Sequence, residues 1–445
     1  MKHIFPLLIL LLSAGVTAQE KRSFSLEEAI AFALENNRTA INAEKDIEIA
    51  KKQKWEATST GLPQISISGE YQNNLKQQVS LIPAEIFGGE PGTFEEVIFG
   101  TKHNVNALAT LRQKIFDGSY IVGLQSAKVF LEISKNTKKK TDLEVKKSVI
   151  NAYGNVLLTE ENIEILEKNK DILEKNVFET QKTFENGLAE EESVEQLQIT
   201  LAGVESDLQN SLRLRDIAYK MLNVTIGAPI EAELTLTDDL DDLAVKNTVP
   251  GLMEETFDIE NNIDFKIASI NTKSQELLLK NEKSKGLPTL DAYINGGYLG
   301  FGNDFNFFKR EQEWFGNSMI GLSLNVPVFS SLGRSAATQR MKIELEKAKN
   351  DLKETEQQLQ LEIRQAKSNY QFSLEQYQTR KRSLELAERI ERKNRIKFTE
   401  GMSTSFDLRQ AQTQLYTAQQ EYLQSMLDII NNKTELEMVL HNANE

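Results

Sequence analysis

The sequence predicts a mainly α-helical protein with a β part, built from a duplicated helix–strand–strand–long helix–helix unit. Three observations carry that prediction. First, FENGLAEEESVEQLQITLAGVESDLQNSL, starting at Phe184, and FTEGMSTSFDLRQAQTQLYTAQQEYLQSMLDII, starting at Phe398, share one layout of helix end, glycine, tight reversal and returning heptad helix. Phe184 and Phe398 are 214 residues apart, as are Gly187 and Gly401, and Val194, Leu197 and Leu201 correspond to Leu408, Ala411 and Leu415. Second, each reversal is preceded by a 66-residue run without proline, Ser119 to Phe184 and Gly333 to Phe398. At ~1.5 Å per residue each run is about 100 Å of helix, too long for a compact domain unless it packs laterally as a coiled coil. Third, four segments alternate apolar and polar residues with the period of strands.

The N-terminus MKHIFPLLILLLSAGVTAQ has a lysine, an apolar run and small residues before Gln19, the pattern of a secretory signal over residues 1–18. With no cysteine after it there is no lipid-attachment site, so the mature chain is expected to begin free at Gln19. No later window offers about 18 consecutive apolar residues, so a membrane-embedded form has to be a β-barrel. The 445 residues carry a formal charge of −14, which argues against nucleic acid as a partner because phosphate contacts need clustered Lys and Arg.

The elements follow in order. A helix is expected from Ser25 to about Thr60, opened by an N-cap serine and stopped by Gly61-Leu62-Pro63. The strand QISISGEY follows, then a long loop from Leu75 to Thr101, then a strand from about Asn104 to Phe116 ended by Asp117-Gly118. The first long helix turns at Asn186-Gly187 and returns for about 36 residues to Gly227. Residues 228–258 are mixed and acidic. Asp238, Asp239, Asp241 and Asp242 lack the alternate spacing, central glycine and terminal glutamate of a calcium loop, so a solvated linker is favoured.

The plan then repeats. A helix from about Ile259 to Lys285 stops at Gly286-Leu287-Pro288, 225 residues after its counterpart, and the strand TLDAYINGGY follows. GGYLGFG is followed by no helix with a phosphate-loop fingerprint, and its glycines are expected to allow a tight bend in a strand-end loop. Phe301, Phe305, Phe307, Phe308, Trp314 and Phe315 are read as an interfacial aromatic girdle rather than a ligand pocket. SMIGLSLNVPVF is the fourth strand, its Phe329 lying 213 residues after Phe116. The expected organisation is residues 19–227 as first repeat, 228–258 as linker or equatorial segment and 259–445 as second repeat. Four strands cannot close a barrel and open edges are forbidden in lipid, so any barrel must be shared between subunits.

With two GLP–strand junctions, two strand-to-helix junctions (IFDGSYIVGLQSA, VFSSLGRSAATQR) and two tips, the chain resembles the TolC family of outer-membrane efflux and secretion channels. The resemblance covers nearly all of residues 20–441. It implies a homotrimer in the outer membrane of a Gram-negative bacterium, with twelve strands in one barrel in outer-membrane lipid and a periplasmic α-helical barrel. It also implies a passive exit duct of a tripartite efflux or type I secretion system. The partners implied are a periplasmic adaptor docking at Gly187-Leu188 and Gly401-Met402 and an inner-membrane pump of the RND, ABC or MFS type. Family tips close a periplasmic gate through polar contacts. Asp407 matches one gate aspartate, whereas Phe398, Ser403 and Gln410 stand where a tyrosine, an arginine and a second aspartate are expected.

Glu190, Glu191, Glu192 and Glu195 give the first tip an acidic entrance, which repetition around a ring would turn into a cation-favouring field. The same residues also read as a helix N-terminal charge run favoured by the macrodipole. No catalytic, cofactor or metal constellation is present, with only His103 and His441 beyond the signal and no cysteine. The alternative reading is a periplasmic coiled-coil adaptor or scaffold without channel activity. Adaptors add a lipoyl-like domain and usually carry one hairpin, and they lack four alternating strands.

Overall fold

A computed structural model describes residues 22–255 and 257–440; the segment read as a secretory signal, and His441, lie outside them. In chain order the elements are β1 (Arg22–Phe24), α1 (Leu26–Asn36), α2 (Arg38–Ser59), β2 (Gln64–Asn73), β3 (Val79–Pro83), β4 (Phe94–Ile98) and β5 (His103–Phe116). Next come α3 (Gly118–Glu185), α4 (Glu191–Ile226), β6 (Leu234–Leu236), α5 (Leu240–Lys246) and α6 (Ile263–Ser284). The chain continues with β7 (Thr289–Gly302), β8 (Trp314–Asn325), α7 (Gly333–Thr399) and α8 (Ser405–Leu440). The long helices α3 and α7 have 68 and 67 residues, and the returning helices α4 and α8 have 36 each. Two compact units cut across this order. One holds the residues up to Asp46, Lys135–Ala268 and the residues from Lys353; the other holds Ile47–Ser134 and Ser269–Leu352. Helices α2, α3, α6 and α7 each contribute residues to both.

The duplication is visible at the level of single hydrogen bonds. The first helix expected as one piece is two, because Asn37 leaves the helical region (φ −64°, ψ 131°) and caps α2. Its Oδ1 accepts from Thr39 N at 2.8 Å and Ala40 N at 3.2 Å, while its Nδ2 donates to Thr225 O, 2.7 Å away near the end of α4. Asn262 repeats this, its Oδ1 accepting from Asp264 N at 2.8 Å and Phe265 N at 3.3 Å and its Nδ2 donating to Val439 O at 3.2 Å. The repeated Glu-Asn-Asn at 35–37 and 260–262 marks these two splices. Each asparagine joins the start of a short helix to the end of a returning one. Asn262→Ala is expected to lower stability by about 1–2 kcal/mol, with Asn262→Ser recovering the cap share, as thermal unfolding in detergent will report.

In the first unit the core centres on Tyr153 of α3 and Tyr370 of α7, both fully buried, with Ala33, Ile226, Leu240 and Ile430 around them. The Tyr153 hydroxyl lies 2.9 Å from Phe24 O and 3.0 Å from Asp238 Oδ2, and Asp238 Oδ2 also accepts from Leu26 N at 2.7 Å. Tyr370 donates to Asn247 O at 2.7 Å and accepts from Val249 N at 2.8 Å. The two long helices are thus pinned to the 234–249 segment by the same residue type. The acidic run read as a solvated linker is therefore engaged in structure. Asp238 caps α1, Asp239 caps α5 through Asp241 N and Asp242 N, and Asp241 accepts from the Tyr422 hydroxyl at 2.8 Å. Orphan helix N–H groups supply the reason, since short carboxylates satisfy them.

In the second unit the strands order as β2-β5-β7-β8 in one antiparallel sheet. The loop expected from Leu75 to Thr101 contains a separate antiparallel pair, β3 with β4, joined through a short 3-10 turn. GGYLGFG is not a bend but the end of β7, with Gly297 packed on β5. A Cβ there would sit 2.2 Å from Ala107 O, so close strand approach is what demands that glycine. The aromatic stretch divides. Phe305 and Phe307 pack edge-on to Tyr71, whose hydroxyl meets His103 Nδ1 at 2.8 Å, while Phe308 is 93% exposed. No described helix is long and apolar enough to cross a membrane.

Candidate functional site: a two-faced sheet and paired helical tips

Register assigns every strand residue to a face, because directly paired residues share one. Ile67 of β2, Ala109 of β5 and Gly296 of β7 form one row, and Ile294 of β7 pairs with Ile320 of β8 on the same side. This face is apolar and open: Ile65, Ile67, Ile320 and Leu322 are 74%, 81%, 77% and 72% exposed. The opposite face carries Ser66, Thr110 and Asn295 in one row and Asp291 opposite Ser323 in another. There the Tyr293 ring lies over Gly321, where a Cβ would come within 2.5 Å of it. A sheet apolar on one face and polar on the other matches the wall of an outer-membrane barrel. It does not match a soluble sheet, which buries its apolar face.

The tips belong to the first unit. Gly187 (φ +74°) and Gly401 (φ +71°) end the long helices in the left-handed region. Around each, the same pair of bonds closes the turn: Gly187 N to Phe184 O at 2.7 Å with Leu188 N to Thr183 O at 3.0 Å, and Gly401 N to Phe398 O at 3.0 Å with Met402 N to Lys397 O at 2.7 Å. That is the 6→1 and 5→2 pattern in which only glycine escapes a Cβ penalty. It leaves Leu188 and Met402 at the apices, 80% and 69% exposed. A cleft of 540 Å³ brings the two tips together, lined among others by Leu188, Glu190, Glu192, Phe398, Gly401 and Ser403. Gly187, Met402, Glu191, Glu195, Asp407 and Gln410 are not among its lining residues. Among the described residues, one hydrogen bond ties tip to tip, from Ser405 Oγ to Gln196 Oε1 at 3.2 Å.

Asp407 sits at the third position of α8, where its Oδ2 accepts from Thr404 N at 3.1 Å, Thr404 Oγ1 at 2.7 Å and Ser403 Oγ at 3.2 Å. Asp407 N donates in return to Thr404 Oγ1 at 3.2 Å, completing a capping box. The Thr404 hydroxyl first, then its backbone N–H, hold the carboxyl below the usual carboxylate range, so Asp407 is anionic at neutral pH. Phe398 is half-buried against the distal apolar cluster of Leu173, Leu197 and Leu408, and Gln410 is exposed. Glu190 is the N-cap residue of α4 without a side-chain cap bond, Glu192 accepts from Gln196 at 2.8 Å, and Glu191 and Glu195 are exposed.

Sequence reasoning missed the polar seam within and between these hairpins. Asn169 donates to Gln419 Oε1 at 3.0 Å between α3 and α8, and Asn162 bonds both Ser211 and Gln420. The available signal was amide side chains at seam positions that should be apolar. Glu391 of α7 is also buried there, and burial pushes its carboxyl above the usual range against the opposing pull of Arg395 and Arg392. A carboxyl raised on folding stabilises the fold at low pH, and that contribution is lost as pH rises from the ordinary carboxylate range through the raised folded value. Glu391→Gln is expected to raise the melting temperature by roughly 2–4 °C at about pH 7.5 and to change it little at about pH 4.

The sequence profile of the outer membrane efflux protein family matches residues 29–228 and 259–440. No individual curated protein matches the chain by sequence. Among solved structures, the outer membrane protein VceC of Vibrio cholerae is similar with a TM-score of 0.72 at 16% identity, over 94% of this chain and 97% of that one. The CmeC outer membrane channel of Campylobacter jejuni gives 0.72 at 15% identity, over 94% and 87%. The open state of the MtrE outer membrane channel of Neisseria gonorrhoeae gives 0.72 at 17% identity, over 93% and 88%. Identities this low establish the fold, and the profile, which takes in well over half the residues, establishes the family. The chain belongs to the outer membrane efflux protein family, a family of outer-membrane ducts rather than enzymes, with a large periplasmic helical part.

Proposed function

We propose that the protein is the passive exit duct of a tripartite efflux or type I secretion system, working as a homotrimer. The observation that carries this is the two-faced sheet with unpaired edges at β2 and β8. In lipid those edges must be paired, and four strands fall short of the roughly eight that close a barrel. The apolar face then meets lipid, and the polar face, with Asp291, Tyr293 and Asn295, lines the lumen. The exposed apices Leu188 and Met402 support docking of a periplasmic adaptor at Gly187-Leu188 and Gly401-Met402, with an inner-membrane pump supplying energy. Photo-crosslinking from Leu188 and Met402 in intact cells is the test. Capture of a periplasmic adaptor supports the reading, and capture of none, with export intact, overturns it.

The gate is assigned to the tips on the same reading. Asp407, with Phe398, Ser403 and Gln410 near it in sequence, together with Glu190, Glu191, Glu192 and Glu195, would form a negative ring at the entrance and favour cations. Because Asp407 is also part of a capping box, Asp407→Asn is the informative change: it keeps an acceptor for Thr404 and removes the charge. Severalfold weaker block by polyvalent cations in planar bilayers is expected, with helix content unchanged. Unaltered block removes Asp407 from the gate.

A further inference from the structure

Register separates the aromatic residues at the far end of the sheet onto its two faces. Tyr71, Val105, Gly300 and Trp314 form one row on the apolar face, where the Phe307 ring lies over Gly300 and packs on both Tyr71 and Trp314. Phe315, the next residue, falls on the opposite face, in a row with Glu70, Asn106 and Leu299. One step outward on that face Phe301 shares a row with Gln72 and Asn104, and one step inward Leu108 shares a row with Ser68, Gly297 and Asn317. Phe301 and Phe315 lie ring to ring, centroids 5.9 Å apart and tilted by 46°. Phe307 is 6% exposed within its cluster, whereas Phe301 and Phe315 remain 44% and 52% exposed. This face carries Asp291 and Ser323 next to the helices and Asn295 and Thr110 further along. A half-exposed pair of phenyl rings at its outward end therefore stands apart from the polar surface it continues.

We propose that Phe301, Phe315 and Leu299, together with Glu70, form a subsite at the outward end of the lumen for an organic cation with an aromatic or apolar body. The site rests on the reading of the polar face as the lumen wall and adds what that wall holds. Among the paired residues of these three rows Glu70 is the one ionisable side chain, and it is exposed. Glu70 and Leu299 are separated by one strand, so at ~4.8 Å per strand spacing their positions lie about 10 Å apart across Asn106. A cation of that breadth can reach both. The phenyl faces attract positive charge through the ring quadrupole, Leu299 and the rings cover apolar surface, and the carboxylate supplies the opposite charge. The remaining partners, Gln72, Asn104 and Asn106, are neutral amides, so no lysine or arginine in these rows opposes a cation. An anion of the same shape meets Glu70 with no compensating charge, and a small hydrated cation brings no apolar body to the rings. A barrel shared by three copies would lie between the eight strands whose side chains fill a barrel and the 16 or more that leave an open channel. Large side chains on its inner face therefore reach into the path of a solute.

Tetraphenylphosphonium carries this chemistry and is the probe, added to a planar bilayer on the side opposite the helical tips. Tetramethylammonium has the same charge without the rings and is the comparison. Tetraphenylphosphonium is expected to reduce the open-channel current of the unmodified protein, and tetramethylammonium at equal concentration is not. Replacing both rings, Phe301→Ser with Phe315→Ser, is expected to raise the blocking concentration about tenfold. Glu70→Gln is expected to raise it severalfold. Heat-modifiable migration reports assembly of each variant, and Phe315→Leu, which keeps apolar bulk and removes one ring, gives a severalfold shift should the double variant not assemble. Tyr298→Ser removes an aromatic ring from the opposite face, where Tyr298 pairs with Ala107 and Gly316, and is expected to leave the block unchanged. Block that is equal in the unmodified protein and the phenylalanine variants, or absent from this side, overturns the subsite. A shift with Tyr298→Ser as large as that of the phenylalanine variants assigns the effect to the lipid face and also overturns it. Unaltered block in Glu70→Gln overturns the selection of a cation. An unmodified protein without conductance steps before any cation is added overturns the duct reading, and the subsite with it.

Discussion

Replacing Tyr153 with alanine is expected to destabilise the first unit by about 3–5 kcal/mol, the cost of emptying a fully buried aromatic site in a long-helix core. The loss is not only volume. Tyr153 connects α3 to Phe24 O and to Asp238, and Asp238 in turn caps α1 through Leu26 N. Removing the ring leaves a part-buried carboxylate and a carbonyl short of a donor, so three elements loosen together. Tyr153→Phe isolates the hydroxyl share and is expected to cost only about 1 kcal/mol. Thermal unfolding in detergent separates the two variants, and a Tyr153→Phe melting temperature equal to that of the unsubstituted protein would show that the hydroxyl pin carries no weight.

Leu322→Arg is expected to abolish outer-membrane assembly, because a cation on the lipid side of a barrel strand costs about 2–4 kcal/mol near mid-membrane. The neighbour in sequence provides the control. Ser323 projects from the opposite, polar face, where it pairs with Asp291, so Ser323→Arg is expected to assemble normally. Heat-modifiable migration of membrane fractions reads both. Tolerance of arginine at 322 with failure at 323 would reverse the assignment of lipid and lumen.

Much of this architecture is legible in the sequence because periodicity and glycine report geometry directly. The reversals at Gly187 and Gly401 could be placed to the residue because a left-handed helix end selects glycine. The long helices could be bounded within a few residues because nothing in 66 positions interrupts them and a turn follows. What the sequence hid are partners. The helix break at Asn37 is invisible to helical periodicity, since its cause is a carbonyl on α4, 188 positions away. The aspartates at 238, 239 and 241 look solvated until the helix ends and tyrosine they serve are brought to them. Gly297 reads as a loop glycine, yet its reason is the backbone of β5. The candidate gate divides in the same way: the tips were legible, and the capping box of Thr404 and Asp407 is a local pair three residues apart, whereas the amide seam depends on contacts between distant segments.

Adding the purified native protein to planar lipid bilayers tests whether this chain forms a conducting duct through the outer membrane. Discrete, long-lived conductance steps are expected, blocked by polyvalent cations from the side presenting the helical tips. Protein that inserts without conductance steps, or that fractionates with the soluble periplasm and does not insert, would contradict it.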